Sequence, residues 1–256
     1  METGRRFLKG KFYGLGVGPG DPELITLKAY KILKEVNVLY APRSSVDRDS
    51  LALQSVVKLT GREYERLELL FPMTMDRKTL EESWSEAGER IAQEVHRGRT
   101  VAFVTIGDPM FYSTYGYVLK YLQTHHPDVL TETVPGVMAM SACASMHGLP
   151  LTEGEESVVV MPAVYGLSDL EETIKKFDNV VLLKVHKKIE EVSGILEKLG
   201  MKGKAMFFSR CGYSDQFQTA DLDSLRGVNL DYMSLLIIQK RGFDRKPLTE
   251  KGVIPR

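Results

Sequence analysis

Short β-rich apolar runs alternate with longer helical stripes through the first half of the chain. Residues 12–17 form a run of the first kind and predict a strand. Asp21-Pro22 then sets an N-cap residue before a proline at the first helical position. Leu24, Leu27, Ala29, Ile32, Leu33 and Val36 follow at helical spacing, which predicts a helix with one apolar face. Strands are predicted at 36–41 and 66–71, with helices at 49–59 and about 79–97. Residues 100–106 (TVAFVTI) are apolar without alternation, the pattern of a strand buried on both faces, so they belong in the middle of a parallel sheet. A helix at 113–123 and a strand at 130–134, stopped by Pro135-Gly136, complete this half. Strict strand–helix alternation argues for a parallel sheet covered by helices.

The second half reads differently. A helix of small residues and methionines at 137–146 ends at Gly148 and Pro150. Strands at 157–161, 179–185 and 204–209 are separated by helices near 168–177 and 187–199, and 217–219 and 232–240 read as strands joined by little helix. Such a tail predicts a mixed sheet with antiparallel pairs. The expected fold class is therefore α/β with two α/β domains, 1–136 and 137–256, and a ligand crevice between them.

Two turns carry the candidate chemistry. Gly16-Val17-Gly18-Pro19-Gly20-Asp21 ends the first strand, and Gly107-Asp108-Pro109-Met110-Phe111-Tyr112-Ser113 ends the central one. In an α/β sheet, strand ends that break into such turns line a ligand site at the carboxyl edge. Glycine lets backbone approach a ligand, and proline stiffens the turn. The dinucleotide fingerprint fails, since the third glycine position is Pro19 or Asp21, and residues 36–41 end in Pro42-Arg43 without a carboxylate. A P-loop fails too, because Asp21 stands where a phosphate would sit. Nucleotide phosphate binding is disfavoured.

Lys+Arg and Asp+Glu are equal at 34 each among 256 residues, so composition gives no sign of a nucleic-acid or anionic-membrane partner. Cys143 and Cys211 lack metal-ligand or redox spacing, and no metal site is expected. No apolar run reaches membrane-spanning length, and the basic start lacks a signal-peptide core, so a cytoplasmic protein is expected. The plain alternatives stay in view: Asp21 as a helix cap, Asp108 as a turn residue, Met138, Met140 and Met146 as core filler, His125-His126 as a solvated helix end and Cys143 as a small core residue.

Gly16-Val17-Gly18-Pro19-Gly20-Asp21-Pro22 with Leu27, Gly107-Asp108-Pro109, Val134-Pro135-Gly136 and Gly148-Leu149-Pro150-Leu151 together resemble the S-adenosylmethionine-dependent tetrapyrrole (uroporphyrin-III/precorrin) methyltransferases, in order and spacing, from Lys11 to Arg241. Within that family, residues 105–115 and Ala41-Pro42-Arg43-Ser44 are most similar to the precorrin-2 (cobalt-factor II) C-20 methyltransferases. The resemblance implies a class III methyltransferase-like fold with S-adenosylmethionine between the halves. Its contacts would be Pro19, Ile106, Gly107, Asp108, Phe111, Met138, Ala139, Lys184, Val185 and Gly212. Ile106 and Lys184-Val185 depart from the residues many relatives carry there. It further implies C-20 methylation in cobalamin biosynthesis, giving precorrin-3A or cobalt-factor III, with a homodimer as the assembly. Asp21 or Asp108 is the candidate general base. Arg43, Arg48, Lys187 and Arg210, with Lys184, are candidates for gripping the substrate's carboxylates. A same-fold enzyme acting on another tetrapyrrole carbon, on rRNA or on protein is the alternative, with a non-catalytic sensor as a third reading.

Overall fold

The computed structural model describes residues 10–43, 50–71, 74 and 76–243, with backbone alone at residues 43 and 67–70. The chain divides into two compact units, Met1–Met138 and Ala139–Arg256.

The first unit is built on a five-stranded sheet of β1 (Lys11–Gly16), β2 (Val38–Arg43), β3 (Glu65–Leu70), β4 (Thr100–Thr105) and β5 (Leu130–Val134), in the order β3-β2-β4-β1-β5. All four pairings are parallel. The run at 100–106 is central as expected, and its apolar residues go to both faces. Val101 and Phe103 join Phe12, Val38 and Tyr40 against α3 (Arg77–His96) and α4 (Tyr115–His125). Ala102 and Val104 join Leu15, Leu39 and Ala41 against α1 (Leu27–Leu33) and α2 (Leu51–Thr60). Burial on both faces explains the absence of alternation.

The expected helix starting at Asp21 is corrected. Pro22–Leu24 is one 3₁₀ turn, capped by the Asp21 carboxylate, which accepts from Glu23 N at 2.9 Å. Ile25 and Thr26 are extended, and α1 restarts with the Thr26 hydroxyl accepting from Ala29 N at 3.2 Å. Two β-branched residues, one of them a good cap, outweigh the apolar spacing. Leu27, assigned to the buried stripe, is 67% exposed. His126 is likewise more than a solvated end, since its Nε2 lies 2.8 Å from the Glu89 carboxylate.

The second unit holds β6 (Val158–Pro162), β7 (Asn179–Leu183), β8 (Ala205–Ser209), β9 (Phe217–Thr219) and β10 (Ser234–Gln239), ordered β6-β7-β10-β8-β9. Only β6 and β7 are parallel, so the sheet is mixed. One face packs on α6 (Leu170–Lys176) and α7 (Ile189–Lys198) through Val180, Leu182, Phe207, Leu236 and Ile238. The other face packs Val181, Phe208, Leu235 and Ile237 on α5 (Ala139–Met146), where Cys143 is fully buried. Because β7 and β8 both run antiparallel to β10, their carboxyl ends flank its start.

Candidate active site

In the first unit, three turns converge at the carboxyl edge of the sheet. Val17 N donates to Thr105 O at 3.0 Å, and Gly107 N to Gly18 O at 2.8 Å, which ties the first turn to the second. The third turn, Pro135-Gly136, presses on both. A Cβ on Gly136 would lie 2.1 Å from Gly107 O, and one on Gly16 would lie 2.6 Å from the same oxygen and from Gly136 N. These two glycines are required by backbone-to-backbone packing.

Gly107 has a different reason. Its φ is +72°, and among the described residues a Cβ there would meet nothing within 4 Å beyond its chain neighbours. The close packing is behind it, and an open face lies in front. This is a backbone edge that a ligand can approach.

Asp108 braces the turns. Its Oδ1 accepts from Met110 N at 2.8 Å and its Oδ2 from Gly136 N at 2.9 Å, so both carboxylate oxygens hold backbone amides. Beyond it, Met110 and Tyr112 are exposed, Tyr112 has φ of +49°, and the Phe111 ring meets the Tyr112 ring edge-on at 4.9 Å. Left-handed backbone at a bulky aromatic is strained and clusters at functional sites. The sequence carried no signal for it. Pro19 and Gly20 are buried, Ile106 packs partly on the core, and Met138 and Ala139 are half-buried at the Pro135-Gly136 exit and the α5 start.

Support for this edge comes from below. Tyr115 is fully buried, its hydroxyl lies 2.6 Å from Thr133 Oγ1, and burial raises its phenol pKa. Its ring occupies the space where Gly14 would carry a Cβ, 2.1 Å from Cζ.

In the second unit, the ends of β7 and β8 place Lys184 and Arg210 on either side of the start of β10. Both have left-handed backbone, φ +58° and +51°. Lys184 N donates to Ser234 O and Arg210 N to Met233 O, each at 2.8 Å. The Lys184 ammonium lies 5.3 Å from the Tyr232 ring centre, and His186 meets the same ring at 5.4 Å. Ser234 Oγ and His186 Nδ1 are buried there with no hydrogen-bond partner among the described residues. Val185, by contrast, turns into the α7-side core with no exposed surface. Gly212, φ +84°, donates its N–H to Gln216 Oε1 at 3.1 Å.

The basic candidates differ in availability. Arg210 is held by Asp215 at 2.6 Å and Asp231 at 3.4 Å, which raises its pKa and lowers that of Asp215. Neither carboxylate was singled out from the sequence. Lys187 is exposed. Arg43 ends β2, and Arg48 lies outside the described residues. No group of three or more His, Cys, Asp or Glu side chains suited to a metal is found among the described residues.

Residues 11–225 match the family model of the tetrapyrrole (corrin/porphyrin) methylases. A probable cobalt-precorrin-2 C(20)-methyltransferase of Methanocaldococcus jannaschii is 34% identical over 235 residues, 90% of this chain and 96% of that protein. The cobalt-precorrin-2 C(20)-methyltransferase of Salmonella typhimurium is 31% identical over 91% of this chain and 98% of its own. Among solved structures, the uroporphyrin-III C-methyltransferase of Thermus thermophilus, complexed with S-adenosylhomocysteine, superposes with a TM-score of 0.65 at 25% identity, covering 90% of this chain and 98% of that one.

Proposed function

The chain belongs to the tetrapyrrole (corrin/porphyrin) methylase family, and from that premise we propose that it transfers a methyl group from S-adenosylmethionine to C-20 of precorrin-2 or its cobalt complex. The choice of carbon rests on the two relatives named for it. The observation that supports the methyl donor is the open face of Gly107, framed by the packed glycines 16 and 136. The residues that would hold the donor are Pro19, Ile106, Gly107, Asp108 and Phe111 in the first unit. Met138, Ala139, Lys184, Val185 and Gly212 are the further candidates, with Val185 acting through its backbone, because its side chain is core.

When bound, the donor would supply an already activated sulfonium methyl to an electron-rich meso carbon of the macrocycle, so the protein need not provide a nucleophile. The protein's task is alignment and exclusion of water, and positioning of this kind is worth roughly 7–11 kcal/mol. Asp108 serves that task by fixing the Gly107 turn through two amides. It is therefore the poorer of the two candidate bases. Among the described residues Asp21 spends only Oδ1, on the Glu23 amide, and it is the better group to receive the meso proton. Lys187, Arg43 and Arg48 are the candidates for the substrate's carboxylates, while Asp215 and Asp231 already engage Arg210. The working assembly is a homodimer in the cytoplasm.

Calorimetry with S-adenosylhomocysteine tests the donor site. A Cβ at Gly107 meets no atom of the other described residues within 4 Å, so Gly107→Ala should cost about 1–2 kcal/mol in backbone strain and still fold. It should nevertheless lower affinity by roughly tenfold or more, because the methyl group enters the ligand's side of the turn. Undiminished affinity in Gly107→Ala, and again in Gly107→Val, would remove the basis of the assignment.

A further inference from the structure

The chain's two cysteines, distant in sequence, meet on the α5 face of the second sheet. Cys143 lies on α5 with no exposed surface, packed with Val181, Phe208, Leu235 and Ile237. Cys211 lies two residues beyond the end of β8 and packs, half-buried, against the same cluster. Both thiols pack in this one cluster and are close enough to shift each other's proton affinity. A third sulfur completes the group: Met146 Sδ, one turn beyond Cys143 on α5, lies 3.5 Å from Cys211 Sγ.

The two thiols are not equivalent. Cys143 has no exposed surface, whereas Cys211 retains some access to solvent. The interaction with Cys211 and burial push the Cys143 thiol far above its usual range, and the interaction with Cys143 draws the Cys211 thiol down. An accessible, activated thiol beside a protected one is the arrangement of an attacking and a resolving cysteine.

We propose that Cys211 and Cys143 form a reversible, peroxide-sensitive disulfide that ties α5 to the turn after β8. In the first step the Cys211 thiolate attacks one peroxide oxygen. The O–O bond breaks, sulfur is oxidised to sulfenic acid, and the departing hydroxide takes a proton to become water. In the second, Cys143 sulfur attacks Cys211 sulfur, the S–O bond breaks, and the Cys143 proton leaves with the hydroxyl as a second water. Two thiols and one hydrogen peroxide give one disulfide and two waters. The turn that is tethered contains two left-handed residues, Arg210 and Gly212. Its consequence for binding rests on the assignment of Gly212 to the methyl donor.

The full chain is treated with hydrogen peroxide, alkylated, digested without reductant and mapped by mass spectrometry. The expected product is one intramolecular cystine linking Cys143 and Cys211, reversed by dithiothreitol. Cys143→Ser should stop at a Cys211 sulfenic acid that dimedone traps, and Cys211→Ser should leave Cys143 unmodified. Oxidation confined to Met146, cystines only between molecules, or a reactive Cys143 in Cys211→Ser would overturn the pair. In calorimetry the cystine form should bind S-adenosylhomocysteine roughly tenfold or more weakly, with recovery on reduction. Equal affinity of the two forms would overturn the switch. Failure of the reduced protein to bind at all would refute the donor-site reading, and the cystine map stands apart from it.

Discussion

Asp108 concentrates what a single residue does in this protein. Read from sequence, it is either a base or a turn residue. In the structure both of its oxygens are occupied by the amides of Met110 and Gly136, and the second bond reaches the Pro135-Gly136 turn. Removing the carboxylate leaves two amides without their partner, at about 1–3 kcal/mol for each that stays buried. Asp108→Ala should therefore lower the urea midpoint and weaken S-adenosylhomocysteine binding together, whereas Asp108→Asn should retain part of both, through its one remaining acceptor oxygen. Urea titration alongside calorimetry checks this. Stability and affinity unchanged in Asp108→Ala, with methyl transfer alone abolished, would make Asp108 the base after all. The importance of this residue was legible in the Gly-Asp-Pro motif, but the Gly136 bond was not, because the two are separated in sequence and joined only by the parallel sheet. The same holds for Arg210, whose partners Asp215 and Asp231 lie in loops without periodicity.

Strands and helices were largely legible, for a physical reason that also explains the misses. The central TVAFVTI run and the β-rich segments of the second half are set by two-face burial and pleat periodicity, and their register follows from the parallel sheet and the antiparallel start of β10. What failed was the entry to α1, where Ile25 and Thr26 interrupt an apolar spacing that continues on either side. A pattern of side chains does not report the backbone preference that breaks it. Between α6 and α7, the Glu171 carboxylate is shared by Lys175 at 2.7 Å and Lys198 at 2.6 Å, and these hold its pKa down to about 2 from the ordinary 4.5. A depressed folded pKa means that the contribution is complete above 4.5 and is lost as pH falls toward 2. Comparing urea midpoints across that window, the wild type should fall more steeply than Glu171→Gln. Parallel curves would show that the exposed pair adds nothing to stability, as many surface pairs do.

For the whole molecule, the sequence turns and the family membership agree on the class of chemistry, and the two sheets agree with the fold expected of it. No helix among the described residues is long and apolar enough to cross a membrane. Assembly is a separate claim. Sedimentation equilibrium at micromolar concentration should give twice the chain mass of 28.8 kDa, and a 28.8 kDa species would refute the homodimer. The central claim is the transfer of a methyl group to one carbon of one macrocycle. The direct measurement is a single-turnover reaction with S-adenosylmethionine labelled in its methyl carbon, offered precorrin-2 and its cobalt complex, with NMR of the product. One new methyl resonance at C-20 of either macrocycle is the expected result. A label at another carbon would contradict the C-20 assignment while leaving the family chemistry, and no transfer to either macrocycle would contradict the proposed activity itself.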